Sequence, residues 1–224
     1  MEPRKKVAII VAGGSGTRMG STIPKQFLEL AGKPVLWHTV TAFVNAYSDI
    51  QIILVLPEIH FSYVAGWLPE FAGTTITLIK GGDTRFHSVK NGLDQVKESA
   101  VIFVHDGVRP LVSTTLIRGC YEAAVESGSA IPAIDMKDSI RETGGFGNKA
   151  VNRESFKIIQ TPQTFLSELI LPAFALPYDP LFTDEATVVE RQGHRIRLVP
   201  GEEANIKITR PLDLIVADAL LGGL

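Results

Sequence analysis

Ala12-Gly13-Gly14-Ser15-Gly16-Thr17-Arg18-Met19-Gly20, followed by Pro24-Lys25-Gln26, stands directly after the apolar run Val7 to Val11. That run is bounded by lysines and glycines, the pattern of a strand buried on both faces in a parallel sheet. A buried strand therefore feeds a glycine-rich loop that bears two cations. Glycines let backbone N–H groups approach an anion, because no Cβ obstructs them or forbids positive φ, and Arg18 and Lys25 supply full charge. The layout is that of a phosphate-handling site.

The rest of the chain builds the same kind of sheet. From Pro34 to Tyr47, Leu36, Val40, Phe43, Val44 and Tyr47 recur at helical spacing and predict an amphipathic helix. Gln51 to Leu56 and Thr75 to Ile79 are further strands, ended by Pro57 and by Gly81-Gly82-Asp83. Strand, helix and strand in alternation imply right-handed crossovers, hence an α/β fold, Rossmann-like, with a mostly parallel twisted sheet flanked by helices. A helix with Val89, Leu93 and Val96 on one stripe, and Ser88 near its start, precedes the buried run Val101 to Val104. That run delivers His105-Asp106-Gly107-Val108-Arg109-Pro110 at its carboxyl end. Ligands of open parallel sheets gather there, so this hexapeptide and the glycine loop are expected in one crevice. Ser113 is placed to cap a helix carrying Leu116, Ile117, Cys120 and Ala124, and Ala130 to Ile134 reads as a strand.

Between Lys137 and Lys157 polar residues dominate. Gly144-Gly145-Phe146-Gly147 makes a turn, and Asp138 to Glu142 and Lys149 to Arg153 are expected to pair as a hairpin. Residues 137–157 thus form a protruding β-arm with little core of its own, either a flap or an arm covered by another subunit. Thr161-Pro162-Gln163 returns the chain to the body. Ser167 to Phe174 predicts a helix interrupted by Pro172, and Thr183 or Asp184 caps a helix through Gln192. Ile196 to Val199 and Asn205 to Thr209 read as strands, and Pro211 opens the last helix.

Composition narrows the class. A chain of 224 residues, 45% of them apolar, is expected to fold as a single main domain over its whole length. Its formal charge of −2 gives no global attraction to nucleic acid or to an anionic membrane, so phosphate binding must be local. The single cysteine, Cys120, excludes an internal disulfide and a multi-cysteine zinc site. No apolar run nears the roughly 18 residues of a membrane span, and the sequence reads as a cytoplasmic protein.

Two familiar glycine-loop readings fail. Gly14-Ser15-Gly16 and Gly20 formally meet the dinucleotide fingerprint, but Ile23-Pro24 breaks the helix it needs and no acid ends the second strand, where Leu56-Pro57 stands. A P-loop requires a lysine that Gly20-Ser21 lacks. What remains is a loop whose backbone donors, with Arg18 and Lys25, surround a polyphosphate.

The glycine loop with Pro24-Lys25-Gln26 resembles the signature of nucleotidyltransferases that activate sugars and polyols. Gly81-Gly82-Asp83 with Arg85 and Ser88, the hexapeptide His105 to Pro110, Thr161-Pro162-Gln163, Thr183-Asp184-Glu185-Ala186 and Asn205-Ile206-Lys207-Ile208-Thr209 narrow the likeness. Over nearly its whole length the chain resembles the 2-C-methyl-D-erythritol 4-phosphate cytidylyltransferases of the non-mevalonate isoprenoid pathway. The resemblance implies attack of a phosphomonoester oxygen on the α-phosphorus of CTP, with loss of pyrophosphate. It implies that Arg18, Lys25 and Lys207 stabilise the charge at phosphorus and that Asp106 holds Mg²⁺. Ala12, Gly13, Gly14 and Gly16 would cradle the nucleotide, and Gly81, Gly82, Asp83 and Ser88 would line cytosine. Arg109 and Arg153 match acceptor-phosphate arginines, with Ser139 and Thr183 as further acceptor contacts. Ser139 stands where the family often has threonine, and Asn152 where an aspartate is common. Because Ser139 and Arg153 lie in the arm, the resemblance also implies a homodimer whose arms cross into the neighbouring crevice.

The same residues have plainer readings. Asp106 could cap a turn, Arg109 sit in a surface ion pair, Lys207 reach for solvent, and Thr183-Asp184 cap a helix first. His105 is read as structural, since attack by an already ionised phosphate needs no general base. The competing functions are the same transfer to D-ribitol 5-phosphate and a nucleotide-binding regulator without catalysis.

Overall fold

Along the first strand, β1 (Lys5–Val11), Val7 and Ile9 face one side of the sheet and Ala8 and Ile10 the other. All four are buried, so both faces must be covered. The computed structural model describes residues 4–14, 23–145 and 147–222, and it shows how the chain does so. After β1 come a small hairpin, β2 (Glu29–Leu30) and β3 (Lys33–Pro34), then α1 (Val35–Ala46), β4 (Gln51–Leu56), α2 (Phe61–Ala65) and β5 (Thr75–Lys80). Next are α3 (Arg85–Leu93), β6 (Ala100–Asp106), α4 (Thr114–Ser127) and β7 (Ser129–Asp135). The arm hairpin, β8 (Arg141–Gly144) and β9 (Gly147–Ala150), leads to β10 (Lys157–Ile159), β11 (Gln163–Leu166), α5 (Ser167–Ala173), α6 (Glu185–Arg191), β12 (Leu198–Pro200) and α7 (Pro211–Leu221).

The main sheet runs β10-β7-β11-β6-β1-β4-β5, with β12 beside β7. Strands β6, β1, β4 and β5 are parallel, whereas β11 runs antiparallel to β6 and β7. Helices α1 and α4 cover one face through Leu36, Val40, Phe43, Ile117 and Cys120. Helices α3, α5 and α6 cover the other through Phe86, Val89, Ile170 and Val189. Each fully buried aliphatic or aromatic side chain contributes about 1.5–3 kcal/mol, so this double burial is what commits the alternating strands to the middle layer. Cys120 is a free, fully buried thiol in this core, and burial pushes its pKa up to about 12.

Register sets the site. Val11 pairs with Val55 of β4 and with Asp106 of β6, so the loops after β1 and β6 leave the sheet at one level. The Ala12 N–H donates to the Val55 carbonyl at 2.8 Å and the Gly107 N–H to the Val11 carbonyl at 2.9 Å. A Cβ on Gly107 would lie 3.0 Å from the Ala12 Cβ and 3.0 Å from Leu36 Cδ1, which is why a glycine follows Asp106.

Several elements differ from expectation. Asn205 to Thr209 forms no strand: among the described residues its one backbone bond to a distant segment runs from the Ile208 N–H to the Val108 carbonyl, at 2.9 Å. The Asn205 carbonyl is instead taken by Arg109, so this peptide edge serves the site and not a ladder. Helix α3 is capped by Thr84, whose side chain accepts from the His87 N–H; Ser88 lies in its first turn, near the start as expected, but Val96 lies beyond its end. The last strand begins two residues late, at Leu198. The arm pairs Arg141 with Ala150 and Glu142 with Lys149, as the hairpin expectation had it, but the ladder stops short of Ser139 and Arg153. Among the described residues no helix is long and apolar enough to cross a membrane.

Candidate active site

A cleft of about 340 Å³ opens beyond the carboxyl ends of β1 and β6, lined among others by Ala12, Gly13, Gly14, Lys25, Ser88, Asp106 and Lys207. A larger hollow of about 480 Å³ lies at the root of the arm between β7, β10 and β12. The smaller cleft is the chemical one, because the paired ions and backbone donors converge there. Gly16 and Arg18 lie outside the described residues.

The glycine loop is fastened at its return. Lys25–Phe27 makes one 3₁₀ turn, and Gln26, almost wholly buried, donates from Nε2 to the Ala12 carbonyl at 2.8 Å. Gln26 thus ties Lys25 to the start of the loop, a role that sequence reasoning did not assign to it. Opposite lies the segment Gly81–Ser88. A Cβ on Gly82 would sit 2.5 Å from the His87 Cβ, so the turn tolerates only glycine there. Ser88 Oγ accepts from the Gly82 N–H at 3.1 Å and lies 3.4 Å from the Gly82 carbonyl. Its hydroxyl therefore shapes the loop as well as lining the cleft. A Cβ on Gly13 would come within 3.7 Å of the same Oγ, so the two loops nearly touch across the cleft. Asp83 lines the cleft beside Gly82, and Gly81 is held at its N–H by the Leu56 carbonyl at 3.1 Å.

On the floor stands Asp106, 7% exposed. Its Oδ2 receives Lys207 Nζ at 3.0 Å and Arg109 Nε at 3.3 Å, while Arg85 Nη2 stands 3.5 Å from Oδ1. Burial alone would raise this carboxyl, but Arg85, Lys207 and Arg109 outweigh it and hold Asp106 well below the usual carboxylate range. Lys207 remains 41% exposed and faces the cleft. Arg109 is nearly buried: Nη1 donates to the Asn205 carbonyl at 2.8 Å, so its guanidinium braces the floor from beneath Asp106. Asn205 is itself clamped by its Nδ2 bond to the Thr161 carbonyl at 2.8 Å.

Behind the floor, His105 is fully buried between Thr161 Oγ1, 3.0 Å from Nδ1, and the Arg109 carbonyl, 3.2 Å from Nε2. Burial lowers its pKa to about 4, and the neutral ring is a strut, as the sequence suggested. Arg85 is clasped by Glu185, with Nη1–Oε1 at 2.5 Å and Nη2–Oε2 at 3.0 Å. Burial would lower the Arg85 pKa, but Glu185 and Asp106 together raise it above its ordinary value.

The remaining expected residues are elsewhere in a single chain. Ser139 and Arg153 flank the arm hairpin in a hollow of their own, and Arg153 Nη1 donates to the Lys137 carbonyl at 2.5 Å. Thr183 is exposed beside the cap residue Asp184, which accepts from the Thr187 N–H at 2.9 Å. Among the described residues no group of three or more His, Cys, Asp and Glu could hold a metal by itself.

A switch-point cleft in which cations and backbone donors converge suits a polyphosphate, the layout of a nucleotidyltransferase. The chain belongs to the 2-C-methyl-D-erythritol 4-phosphate cytidylyltransferase family, whose model matches residues 6–223. It is 46% identical over 218 residues to the 2-C-methyl-D-erythritol 4-phosphate cytidylyltransferase of Bacteroides thetaiotaomicron, covering 97% of this chain and 100% of that protein. The corresponding enzyme of Porphyromonas gingivalis is 44% identical over 220 residues, covering 97% of this chain and 98% of the relative. Among solved structures, 4-diphosphocytidyl-2C-methyl-D-erythritol synthase from Anaerococcus prevotii superposes with a TM-score of 0.84 at 29% identity, over 98% of this chain and 99% of the other.

Proposed function

We propose that the chain transfers the cytidylyl group of CTP to 2-C-methyl-D-erythritol 4-phosphate, releasing pyrophosphate and giving 4-diphosphocytidyl-2-C-methyl-D-erythritol. The observation that carries the reading is the junction of Asp106 with Lys207, Arg109 and Arg85 at the mouth of the glycine loop. In-line displacement at phosphorus asks for positioning and charge stabilisation more than for covalent help.

The backbone of Ala12, Gly13 and Gly14, with Gly16, would cradle the outgoing phosphates. Lys25 and Lys207, together with Arg18, would neutralise charge on the oxygens of the phosphorus under attack. Gly81, Gly82, Asp83 and Ser88 form a tight wall suited to a pyrimidine. The donor set also fits Mg²⁺, a hard cation that takes few protein ligands. Asp106 is held well below the usual carboxylate range by its cations, and its Oδ1 has Arg85 only at 3.5 Å, so one oxygen is available while substrate phosphates would supply the rest. When bound, Mg²⁺ would draw negative charge from the phosphate oxygens. The family resemblance gives the acceptor phosphate to Arg109 and Thr183, with Ser139 and Arg153 brought by the arm of a second copy in a homodimer; to serve it, Arg109 would have to release Asp106 or the Asn205 carbonyl. A reducing, cytoplasmic setting is in keeping with the lone buried thiol of Cys120.

Pyrophosphate release from CTP and Mg²⁺ with each polyol phosphate tests the reading. The methylerythritol phosphate should be used with a kcat/KM at least roughly 100-fold above that for D-ribitol 5-phosphate. Faster release with ribitol phosphate would overturn the substrate. Lys25→Ala should lower kcat by roughly 10²–10³, and an unchanged rate would leave a nucleotide-binding regulator as the better account.

A further inference from the structure

Glu185 has no role in the reaction proposed above, yet at 1% exposure it is the least exposed charged residue among those described. It opens α6, far in sequence from the cleft, and both its carboxylate oxygens are spent on the fork of Arg85. Arg85 opens α3 and lines the cleft. Its Nη2, bonded to Glu185 Oε2 at 3.0 Å, stops 3.5 Å from Asp106 Oδ1, outside ordinary hydrogen-bond range. The other oxygen of Asp106 is already taken by Lys207 and Arg109.

Three cations therefore crowd one floor carboxylate, and the second carboxylate restrains one of them. Without the charge of Glu185, Asp106 would be the strongest anionic partner left to Arg85, ahead of the weaker pull of Asp184. A shift of well under 1 Å would close the gap, and a guanidinium prefers to meet a carboxylate with a full hydrogen bond. Asp106 would then have cations on both oxygens.

We infer that Glu185 is a positioning residue: by clasping Arg85 it keeps that guanidinium off Asp106 and leaves one carboxylate oxygen for a divalent cation. The alternative is that the Arg85–Glu185 pair merely staples α3 to α6. The inference rests on the reading of Asp106 as the Mg²⁺ ligand, and the two can fail separately.

The measurement is the factor by which Mg²⁺ tightens CTP binding, taken by calorimetry in EDTA and in saturating Mg²⁺, with no acceptor present so that nothing reacts. Asp106→Asn should abolish the factor; equal factors in the parent and D106N would overturn the metal reading and the inference with it. With that control in place, E185Q should cut the factor at least ~5-fold while leaving CTP affinity in EDTA within ~2-fold, because only the metal oxygen is lost. The double variant E185Q/R85Q removes the intruding cation with its restraint and should regain the factor. A mere staple gives the opposite pattern, with affinity falling equally in EDTA and in Mg²⁺. A wild-type factor in folded E185Q, or a double variant as poor as E185Q, would overturn the role of Glu185. If E185Q does not fold, the double variant decides alone: a factor near that of the parent upholds the restraint, and a lost one overturns it.

Discussion

His105 shows how a residue next to the chemistry is excluded from it. Its Nδ1 faces the Thr161 hydroxyl, which accepts from the Asp106 N–H at 3.1 Å, so that hydroxyl has its proton to give to the ring. Nε2–H then donates to the Arg109 carbonyl, and the network requires the neutral tautomer. The native pKa of about 4 lies below the unfolded value of 6.5. The unfolded chain therefore binds the extra proton as pH falls from 6.5 to 4, and stability drops through that window. From pH 7 to pH 5 this one group should remove about 2 kcal/mol of unfolding free energy. Urea melts at the two pH values should show a smaller loss in His105→Gln, and parallel losses would contradict the buried neutral ring. At this scale the places of Asp106 and Lys25 in the cleft were legible, because Asp106 ends a buried strand beside Gly107 and Lys25 closes the glycine loop, whereas Lys207 came only with the family resemblance. Glu185 was not, because an acid in the first turn of a helix is ordinary, and nothing along the chain says that Arg85 lies against it. Arg109 was half legible: its presence at the site was readable, but not that Asn205 and Asp106 hold it in the floor.

Elements carry the site through their fit to the sheet, and α3 is the clearest case. Gly92 lies where that helix crosses β1 and β4, and a Cβ there would meet Ile9 Cγ2 at 2.7 Å and Val55 Cγ2 at 3.1 Å. Alanine would favour the helix by about 0.8–1 kcal/mol, but overpacking a core contact costs about 1–3 kcal/mol. The contact should win. Gly92→Ala should lower the melting temperature and, by moving Arg85 and Ser88 outward, raise KM for CTP more than it lowers kcat; a variant more stable than the parent would refute the close approach. The buried strands and α1 could be read from their periods, because each has both a pattern and a length. Asn205 to Thr209 misled because a short apolar alternation is the same whether its peptide groups meet a strand or a side chain. The difference lies in Arg109 and Thr161, which claim Asn205 across the fold.

For the whole molecule, the arm is the unfinished part. Both strands of the hairpin are exposed along their length, with Glu142 and Lys149 paired across them at 2.8 Å, and none of the described residues covers them. The hairpin was legible from the polar texture and the central glycines of residues 137–157; what it meets was not, because no pattern within one chain specifies a second. If Arg153 serves the neighbouring site, mixed dimers of Lys25→Ala and Arg153→Ala subunits contain one intact site. Random mixing should then restore roughly a quarter of the parent activity, and no recovery in dimers shown by mass to be mixed would count against a shared site. One cross-chain tie has a temporal consequence. The carbonyl that braces Arg109 belongs to Asn205, 96 residues later, and the lysine on Asp106 is Lys207. A ribosome that has already delivered β6 thus displays an aspartate and an arginine without the segment that locks them. Domains form their long-range contacts only when the later segment emerges, so the floor around Asp106 is complete only once synthesis has passed Lys207.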